Sequence, residues 1–164
     1  MSWIVEFHPL FAKEYLKFSK TVQDKLLEEI LMLEEFGSQL GRPIVDTLNS
    51  SQHSNMKELR FNADNGVWRT AFAFDPERKA ILLVAGDKSG GNQKRFYKQL
   101  LKKADQRFSD HLQRLKENDT LLKEKFYKIY GTTCPLNARR ILKPVQKQES
   151  NPIAVFKSYV VPQD

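Results

Sequence analysis

Two tight-turn signals constrain the fold of this chain most, because they separate three consecutive β-strand patterns. Asn65-Gly66 is a strong hairpin signal, and Asp75-Pro76-Glu77-Arg78 is a second turn signal ten residues further along. Connections this short join antiparallel neighbours. A glycine-containing polar turn at 86–91 and a basic helix follow the third strand. The stretch from 56 to 100 therefore predicts an antiparallel sheet that leads into a helix.

Alternation within these strands divides their side chains between two faces. In the first strand one face carries Met56, Glu58 and Arg60, and the other carries Lys57, Leu59 and Phe61. In the second, Val67 to Phe74, Arg69 lies opposite the large aromatic side chains and beside small alanines, which we expect to leave it accessible. The third, Ala80 to Gly86, is apolar throughout and predicts a central strand covered on both faces.

The N-terminal part predicts a strand and a pair of helices. Residues 2–7 alternate as in a strand, and Pro9 can open a short helix through about Phe18. A second helix is predicted to start near Thr21 and to stop at Gly37, and the two should form a hairpin over the sheet. The polar segment 37–55 is predicted to be a surface loop, from which His53 could approach a site.

A long helix is predicted from 91 to 116, with Tyr97 and Lys98 off its apolar stripe. Residues 121–130 could extend it, whereas 131–164 has scattered prolines and no sustained period, which predicts a largely irregular tail. We therefore predict an α+β fold with two parts, a domain at 1–117 and a basic tail at 118–164.

The formal net charge of +7 is unevenly distributed. Residues 88–116 hold nine Lys and Arg against two Asp, whereas residues 1–56 are acidic. A basic face on one helix indicates a polyanionic partner, most commonly nucleic acid. A solvated helix surface balanced by the acidic half fits the charge pattern equally well.

Several classes of protein fit the composition poorly. No apolar run approaches the roughly 18 residues of a membrane span, and the chain opens without a basic and apolar leader, so we expect a cytoplasmic protein that contacts no membrane. Cys134 is the single cysteine, which excludes an intramolecular disulfide framework and a metal cluster built from thiolates.

The order β, α, α, β, β, β, α and three short motifs resemble the RelE/ParE superfamily. The motifs are MKELR at 56–60, GVWR at 66–69 and AILLVAGDK at 80–88. Within the superfamily the sequence is most similar to HigB-type toxins of type II toxin-antitoxin systems, in the phage-derived branch, over about residues 1–117. The resemblance implies an endoribonuclease that cuts messenger RNA on the ribosome, uses no metal or other cofactor, and is inhibited by a cognate antitoxin, usually with a helix-turn-helix DNA-binding domain.

The resemblance also assigns roles to single residues. The chemistry would be attack of a ribose 2′-OH on the adjacent phosphate. Arg69 matches the phosphate-binding arginine of the family, and its fork of donors suits phosphate. Lys88 matches a position that stabilises charge or donates a proton, and Tyr97 falls near an aromatic that stacks on a base or orients the 2′-OH. Arg60 matches a further basic position.

The sequence departs from the RelE pattern at the catalytic lysines, because Met56 and Glu58 stand where those lysines would be. Glu58, beside Arg60 and Arg69, could accept the proton, or it could be a salt-bridge partner that holds Arg69. Lys57 faces the other side of the strand but could reach the rim of the site and touch the message. Three further basic residues would bind RNA phosphates: Lys94, Arg95 and Lys98.

Two other functions stay open at this point. A ParE-like toxin would inhibit DNA gyrase and cut nothing, since one fold serves both activities. A nuclease-dead protein that binds RNA or an antitoxin is the third reading. The basic and aromatic candidate residues favour the ribonuclease, whereas the missing lysine pair weakens it.

Overall fold

The computed structural model describes residues 2–131, which form a five-stranded sheet and three α-helices. This arrangement confirms the predicted α+β class. In chain order the elements are β1 (Ile4–Phe7), α1 (Pro9–Tyr15), α2 (Lys20–Phe36), β2 (Val45–Thr47), β3 (Met56–Ala63), β4 (Gly66–Phe74), β5 (Lys79–Asp87) and α3 (Gln93–Tyr130), with a 3-10 turn at Gly37–Gln39.

The strands lie in the order β1-β5-β4-β3-β2. β1 pairs with β5 in parallel, and every other neighbouring pair in this sheet is antiparallel, so the predicted mainly antiparallel sheet is confirmed. The register places Arg60 opposite Arg69, and Arg69 opposite Gly86. A bulge at Leu83 of β5 follows from the change of register between Ala71 and Phe72 of β4.

The two N-terminal helices have the predicted hairpin arrangement with slightly different ends. The α1 helix ends at Tyr15, and the predicted end near Phe18 is wrong because the chain turns there, with the Phe18 amide donating to the Tyr15 carbonyl. The Ser19 hydroxyl caps α2 by accepting from the Val22 amide at 3.3 Å. Gly37 ends α2 as predicted, with a positive φ of 54°.

One predicted element is wrong. The segment 37–55 is not loop throughout, because Val45–Thr47 adds a short edge strand to β3. Three residues are too few to show a strand period in the sequence. The consequence is that Asp46 lies directly opposite Glu58.

The faces of the sheet follow the predicted alternation. On one face α1 and α2 pack over apolar side chains, where Phe61 and Trp68 stack with ring centroids 6.2 Å apart and Phe18 meets Trp68 edge-on at 5.0 Å. The other face carries Glu58, Arg60 and Arg69, and the N-terminal part of α3 covers it. Leu100, Ala104 and Phe108 are the buried apolar residues of this part of α3.

The chain consists of two compact units whose boundary lies within α3: one unit ends at Phe108 and the other starts at Ser109. The boundary that the sequence suggests after residue 117 stays a prediction. The predicted irregular tail lies outside the described residues from 132 onward, as does Cys134. Among residues 2–131, no helix combines the length and the apolar character needed to cross a bilayer.

Candidate active site

Four charged residues from three neighbouring strands lie together on the face of the sheet that α3 covers. We call them the charged cluster: Asp46 of β2, Glu58 and Arg60 of β3, and Arg69 of β4. Pairing in the sheet brings them together, because Asp46 is opposite Glu58 and Arg60 is opposite Arg69. The sequence predicted three of the four, since alternation puts Glu58 and Arg60 on one face.

Arg60 is held between two carboxylates. Its Nε and Nη2 atoms contact Glu58 Oε1 at 2.7 and 2.6 Å, and Nη2 also contacts Asp46 Oδ2 at 2.6 Å. Burial lowers the pKa of Arg60, but hydrogen bonding to Glu58 and the charges of Glu58 and Asp46 outweigh it and raise the pKa overall. Arg60 therefore forms an ion-pair network within the cluster.

Arg69 is less accessible than the sequence predicted, because its side chain is only 12% exposed. The Arg69 side chain interacts with Tyr97 of α3. Its Nη1 donates to the Trp68 carbonyl at 2.8 Å, while its Nε lies 3.9 Å from Glu58 Oε1 and has no hydrogen-bond partner among residues 2–131. The expectation of an accessible arginine is wrong, and the guanidinium nevertheless keeps an unpaired donor within the described part of the chain.

Glu58 is the most buried member of the cluster, with 3% of its side chain exposed. Its Oε1 atom takes every contact with Arg60, whereas its Oε2 atom is buried without a hydrogen-bond partner in the part of the chain that the structure describes. An unpaired buried polar atom is costly and uncommon in folded proteins. Glu58 Oε2 and Arg69 Nε are thus an available acceptor and an available donor in the same cluster.

Tyr97, in the second turn of α3, joins the cluster. Burial raises the pKa of Tyr97, and the charge of Glu58 and hydrogen bonding to Glu58 raise it further. Hydrogen bonding to Arg69 and the charge of Arg69 oppose these effects without cancelling them. The phenol is therefore protonated at neutral pH. Lys88 covers its ring, with Nζ 5.8 Å from the ring centroid, a cation–π distance.

The polar turn after β5 sets the position of Lys88. The Lys88 amide donates to the Val67 carbonyl at 2.9 Å, which extends the pairing of β4 and β5 by one residue. Gly86 lies beside Phe96 of α3, and a Cβ at Gly86 would be 3.0 Å from the Phe96 ring. The small residue therefore allows α3 to start close to the sheet, which brings Tyr97 to the cluster.

The remaining candidates lie elsewhere. Lys57 is on the opposite face of the sheet, where its Nζ donates to Thr47 Oγ1 at 2.9 Å, and His53 packs edge-on against Phe108 at 4.9 Å. The three predicted RNA contacts at the start of α3 are all exposed: Lys94, Arg95 and Lys98. They flank Tyr97 in sequence and are available to an extended polyanion.

Asp46 is a residue of the charged cluster that the sequence did not reveal, and the sequence did not single out Asp87, the neighbour of Lys88. Asp46 lay in a predicted loop, and Asp87 was treated only as part of a turn. The β-branched Val45 and Thr47 on either side of Asp46 are a weak strand signal. Nothing in the sequence around Asp87 indicates which backbone amides its side chain accepts from.

The arrangement combines the groups that phosphodiester chemistry needs. It has a guanidinium and an ammonium that can face a phosphate, a phenol that keeps its proton at neutral pH, and a carboxylate with one available oxygen. Four segments supply them: β3, β4, the turn after β5 and α3. Convergence of such groups from separate segments is characteristic of an active site.

Comparison with known proteins assigns the sequence to a family. The family described as "Phage derived protein Gp49-like (DUF891)" matches residues 13–109. Two relatives from Mycobacterium tuberculosis (strain ATCC 25618 / H37Rv) are both named as putative HigB toxins. HigB2 is 48% identical over 84 residues, which are 51% of this chain but 41% of HigB2, and HigB3 is 42% identical over 104 residues, which are 63% of this chain and 89% of HigB3.

Solved structures give weaker likenesses. A mutant of the E. coli toxin RelE in the free state has a TM-score of 0.46 at 14% identity and covers 62% of this chain and 95% of its own. The RelE-RelB complex from Pyrococcus horikoshii OT3 has a TM-score of 0.41 at 19% identity and covers 56% of this chain and 100% of its own. The family match and the HigB relatives confirm the HigB-type, phage-derived resemblance that the strand motifs indicated: the chain belongs to the phage-derived Gp49-like family and is of the HigB type.

Proposed function

We propose that the chain is the toxin of a type II toxin-antitoxin system and that it inhibits translation by cutting messenger RNA on the ribosome. The convergence of Arg69, Lys88, Tyr97 and Glu58 at the start of α3 is the observation that supports this function. Family membership adds to it, because relatives named as HigB toxins share 42–48% of the matched residues.

In the proposed reaction the ribose 2′-OH attacks the adjacent phosphorus. A 2′-O–P bond forms, the bond to the 5′ oxygen breaks, and the products end in a 2′,3′-cyclic phosphate and a 5′-hydroxyl. Arg69 and Lys88 stabilise the charge that develops on the phosphate oxygens, and Tyr97 gives its proton to the leaving 5′ oxygen. Lys94, Arg95 and Lys98 hold neighbouring phosphates, so that binding weakens steeply with salt.

Glu58 has two roles compatible with its contacts. Its available Oε2 can accept the 2′-OH proton, or the residue can serve only to hold Arg60 and Arg69. Glu58→Gln separates the two, because it keeps the shape and removes the basic oxygen. A proton acceptor predicts a loss of about 100-fold in the cleavage rate per folded molecule, whatever the change in melting temperature. A holding role predicts a smaller loss and a less stable protein.

The direct test is induction in a bacterial host, with the 5′ ends of translated messages mapped. Wild type should cut inside codons, and Arg69→Ala should cut at least about 100-fold less because the phosphate loses its bidentate donor. Arg114→Ala is the matched control, since Arg114 is an exposed arginine outside the cluster and should cleave as wild type does.

Other results would contradict the proposal. Growth arrest with intact messages and altered DNA supercoiling would indicate a gyrase inhibitor, and folded protein with neither arrest nor cleavage would indicate a binding protein. A cognate antitoxin with a helix-turn-helix domain is the proposed partner. Co-expression of the neighbouring reading frame should restore growth, and persistent arrest would exclude that product as the antitoxin.

A further inference from the structure

Asp87, the last residue of β5, binds the backbone amide of Ser89, which follows Lys88, and that of Val67 on the adjacent strand β4. Its Oδ1 atom accepts from the Val67 amide at 2.9 Å and from the Ser89 amide at 2.8 Å. Hydrogen bonding from Ser89 holds the pKa of Asp87 below its usual range, so the side chain is a carboxylate at neutral pH. Together with the bond from the Lys88 amide to the Val67 carbonyl, three hydrogen bonds surround one residue.

The hairpin between β3 and β4 is shaped to admit this carboxylate. A Cβ on Gly66 would lie 2.6 Å from Asp87 Oδ2, well inside the normal contact distance. Gly66 pairs with Ala63 at the end of the hairpin, so its lack of a side chain serves the approach of Asp87 as well as the turn. The carboxylate therefore links the hairpin tip to the turn after β5.

The orientation of the Lys88 side chain depends on these hydrogen bonds of Asp87. A Cβ added to either of the following glycines, Gly90 and Gly91, would meet no atom of the described residues within 4 Å, and Gly91 has a positive φ of 115°. Residues 87–89 are thus fixed by hydrogen bonds, while these glycines are not packed. Because Nζ of Lys88 lies over Tyr97, a shift of the Lys88 backbone would move the ammonium away from the cluster.

We propose that Asp87 is a positioning residue, which places the Lys88 ammonium for the reaction through its two backbone hydrogen bonds. This inference rests on the ribonuclease function proposed above. Asp87 itself would touch no substrate. A misplacement of about 1 Å in a catalytic group costs on the order of 100-fold in rate, so removal of the carboxylate should be felt in catalysis.

A purely structural role for Asp87 is the alternative, and the chain contains a matched control for it. Asp75, in the turn between β4 and β5, accepts from two backbone amides with one oxygen in the same way, those of Glu77 and Lys79, both at 2.9 Å. It lies at the other end of β4 from Gly66. Asp75→Ala removes the same kind of contact without touching the proposed site.

The experiment measures single-turnover cleavage of ribosome-bound message by purified, folded variants. Asp87→Ala should lower the rate about 10- to 100-fold, whereas Asp87→Asn, which keeps an acceptor oxygen, should stay within about threefold of wild type. In a Lys88→Ala background, Asp87→Ala should add less than about twofold, because it acts through Lys88. Asp75→Ala should lower the melting temperature and leave the rate per folded molecule within about twofold of wild type.

Three outcomes would overturn the inference. In the first, Lys88→Ala cleaves as fast as wild type. In the second, Asp87→Ala lowers the cleavage rate of Lys88→Ala by as large a factor as it lowers that of wild type. In the third, Asp75→Ala lowers the cleavage rate per folded molecule as much as Asp87→Ala does. If wild type cuts no message, the ribonuclease proposal fails. The placement of Lys88 by Asp87 can then still be tested by NMR, without a cleavage assay. Displaced Lys88 methylene signals in Asp87→Ala but not in Asp87→Asn would support it, and unchanged signals would refute it.

Discussion

Two arginine–glutamate contacts in the same unit of the molecule differ in how many of their hydrogen bonds are made. Arg107 and Glu14 form a bidentate pair at 2.9 and 2.5 Å, and Arg107 also donates to the Leu83 carbonyl at 2.7 Å, at the bulge of β5. Arg69 and Glu58 approach only to 3.9 Å, and each keeps a buried atom without a hydrogen-bond partner among the described residues.

The difference separates a bidentate contact from one that leaves a buried donor and a buried acceptor without hydrogen-bond partners among the described residues. When an arginine forms a bidentate pair and also donates to a backbone carbonyl, each of these hydrogen bonds contributes to the stability of the fold. An unpaired buried donor or acceptor costs about 1–3 kcal/mol, so it calls for an explanation in a native protein. Thr70 Oγ1 is a third such atom among the described residues. The incomplete pair is the one beside Lys88 and Tyr97.

Breaking the complete pair should give the largest effect on stability. Arg107→Ala leaves the buried Leu83 carbonyl without its donor and the half-buried Glu14 without its partner, and we expect the free energy of unfolding to fall by about 1–3 kcal/mol. Urea denaturation measures this change. The rate of RNA cleavage per folded molecule should stay the same, and a loss of cleavage without a loss of stability would contradict the comparison.

Changing the incomplete pair should affect activity far more than stability. Arg69→Lys keeps the charge but loses the planar fork, and we expect cleavage to fall about 10- to 100-fold while the unfolding free energy changes by less than about 1 kcal/mol. Cleavage assays and denaturation on the same preparation measure both. Arg114→Lys is the control at an exposed position, and equal activity of the two lysine variants would refute the role of the fork.

Asp46 should have a smaller effect, because it acts on the cluster through Arg60. Asp46→Asn weakens the contact that draws Arg60 towards β2, and we expect cleavage to fall about fivefold. Asp24→Asn, on the exposed surface of α2, controls for loss of a carboxylate. A decrease as large as that of Arg69→Lys would mean that Asp46 contacts the substrate.

The acid dependence of stability should give the smallest difference. Hydrogen bonding to Arg107 lowers the pKa of Glu14 below its ordinary value of 4.5, in spite of burial. A carboxyl group whose pKa is lower in the folded state stabilises the fold above the unfolded pKa, and this contribution disappears as the pH falls through the folded pKa. Between about pH 6 and 3, thermal unfolding should therefore show a smaller loss of stability in Glu14→Gln than in wild type. Parallel curves for the two proteins would show that the pair contributes nothing.

Local signals in the sequence were sufficient for four of the five strands and for three of the four residues of the charged cluster. Asn65-Gly66 fixed the β3–β4 hairpin, and once the hairpin is fixed, alternation along the strands puts Glu58 and Arg69 on one face. The stop at Gly37 was predictable for a similar reason, since a residue with positive φ after a helix is usually glycine.

Contacts that depend on tertiary packing were not predictable from the sequence. The three-residue strand around Asp46 is stabilised by its pairing with β3 and has no period of its own. Arg69 is only 12% exposed, and α3 starts close to the sheet at Gly86, which no pattern on β4 reveals. The hydrogen bonds of the Asp87 side chain join a hairpin to a turn 20 residues away. Because many aspartates near turns could make such bonds, the sequence does not show that this one does.

The parallel pairing of β1 with β5 has a consequence for synthesis of the chain. The strand Ile4–Phe7 leaves the ribosome before the other strands of the sheet and pairs with residues 79–82, so its hydrogen bonds wait for almost the whole sheet to be made. A nascent chain that ends before Lys79 lacks both the partner of this strand and the turn that carries Lys88. The order of synthesis therefore completes the sheet and the candidate site at nearly the same moment, with Tyr97 the last of these residues to be added.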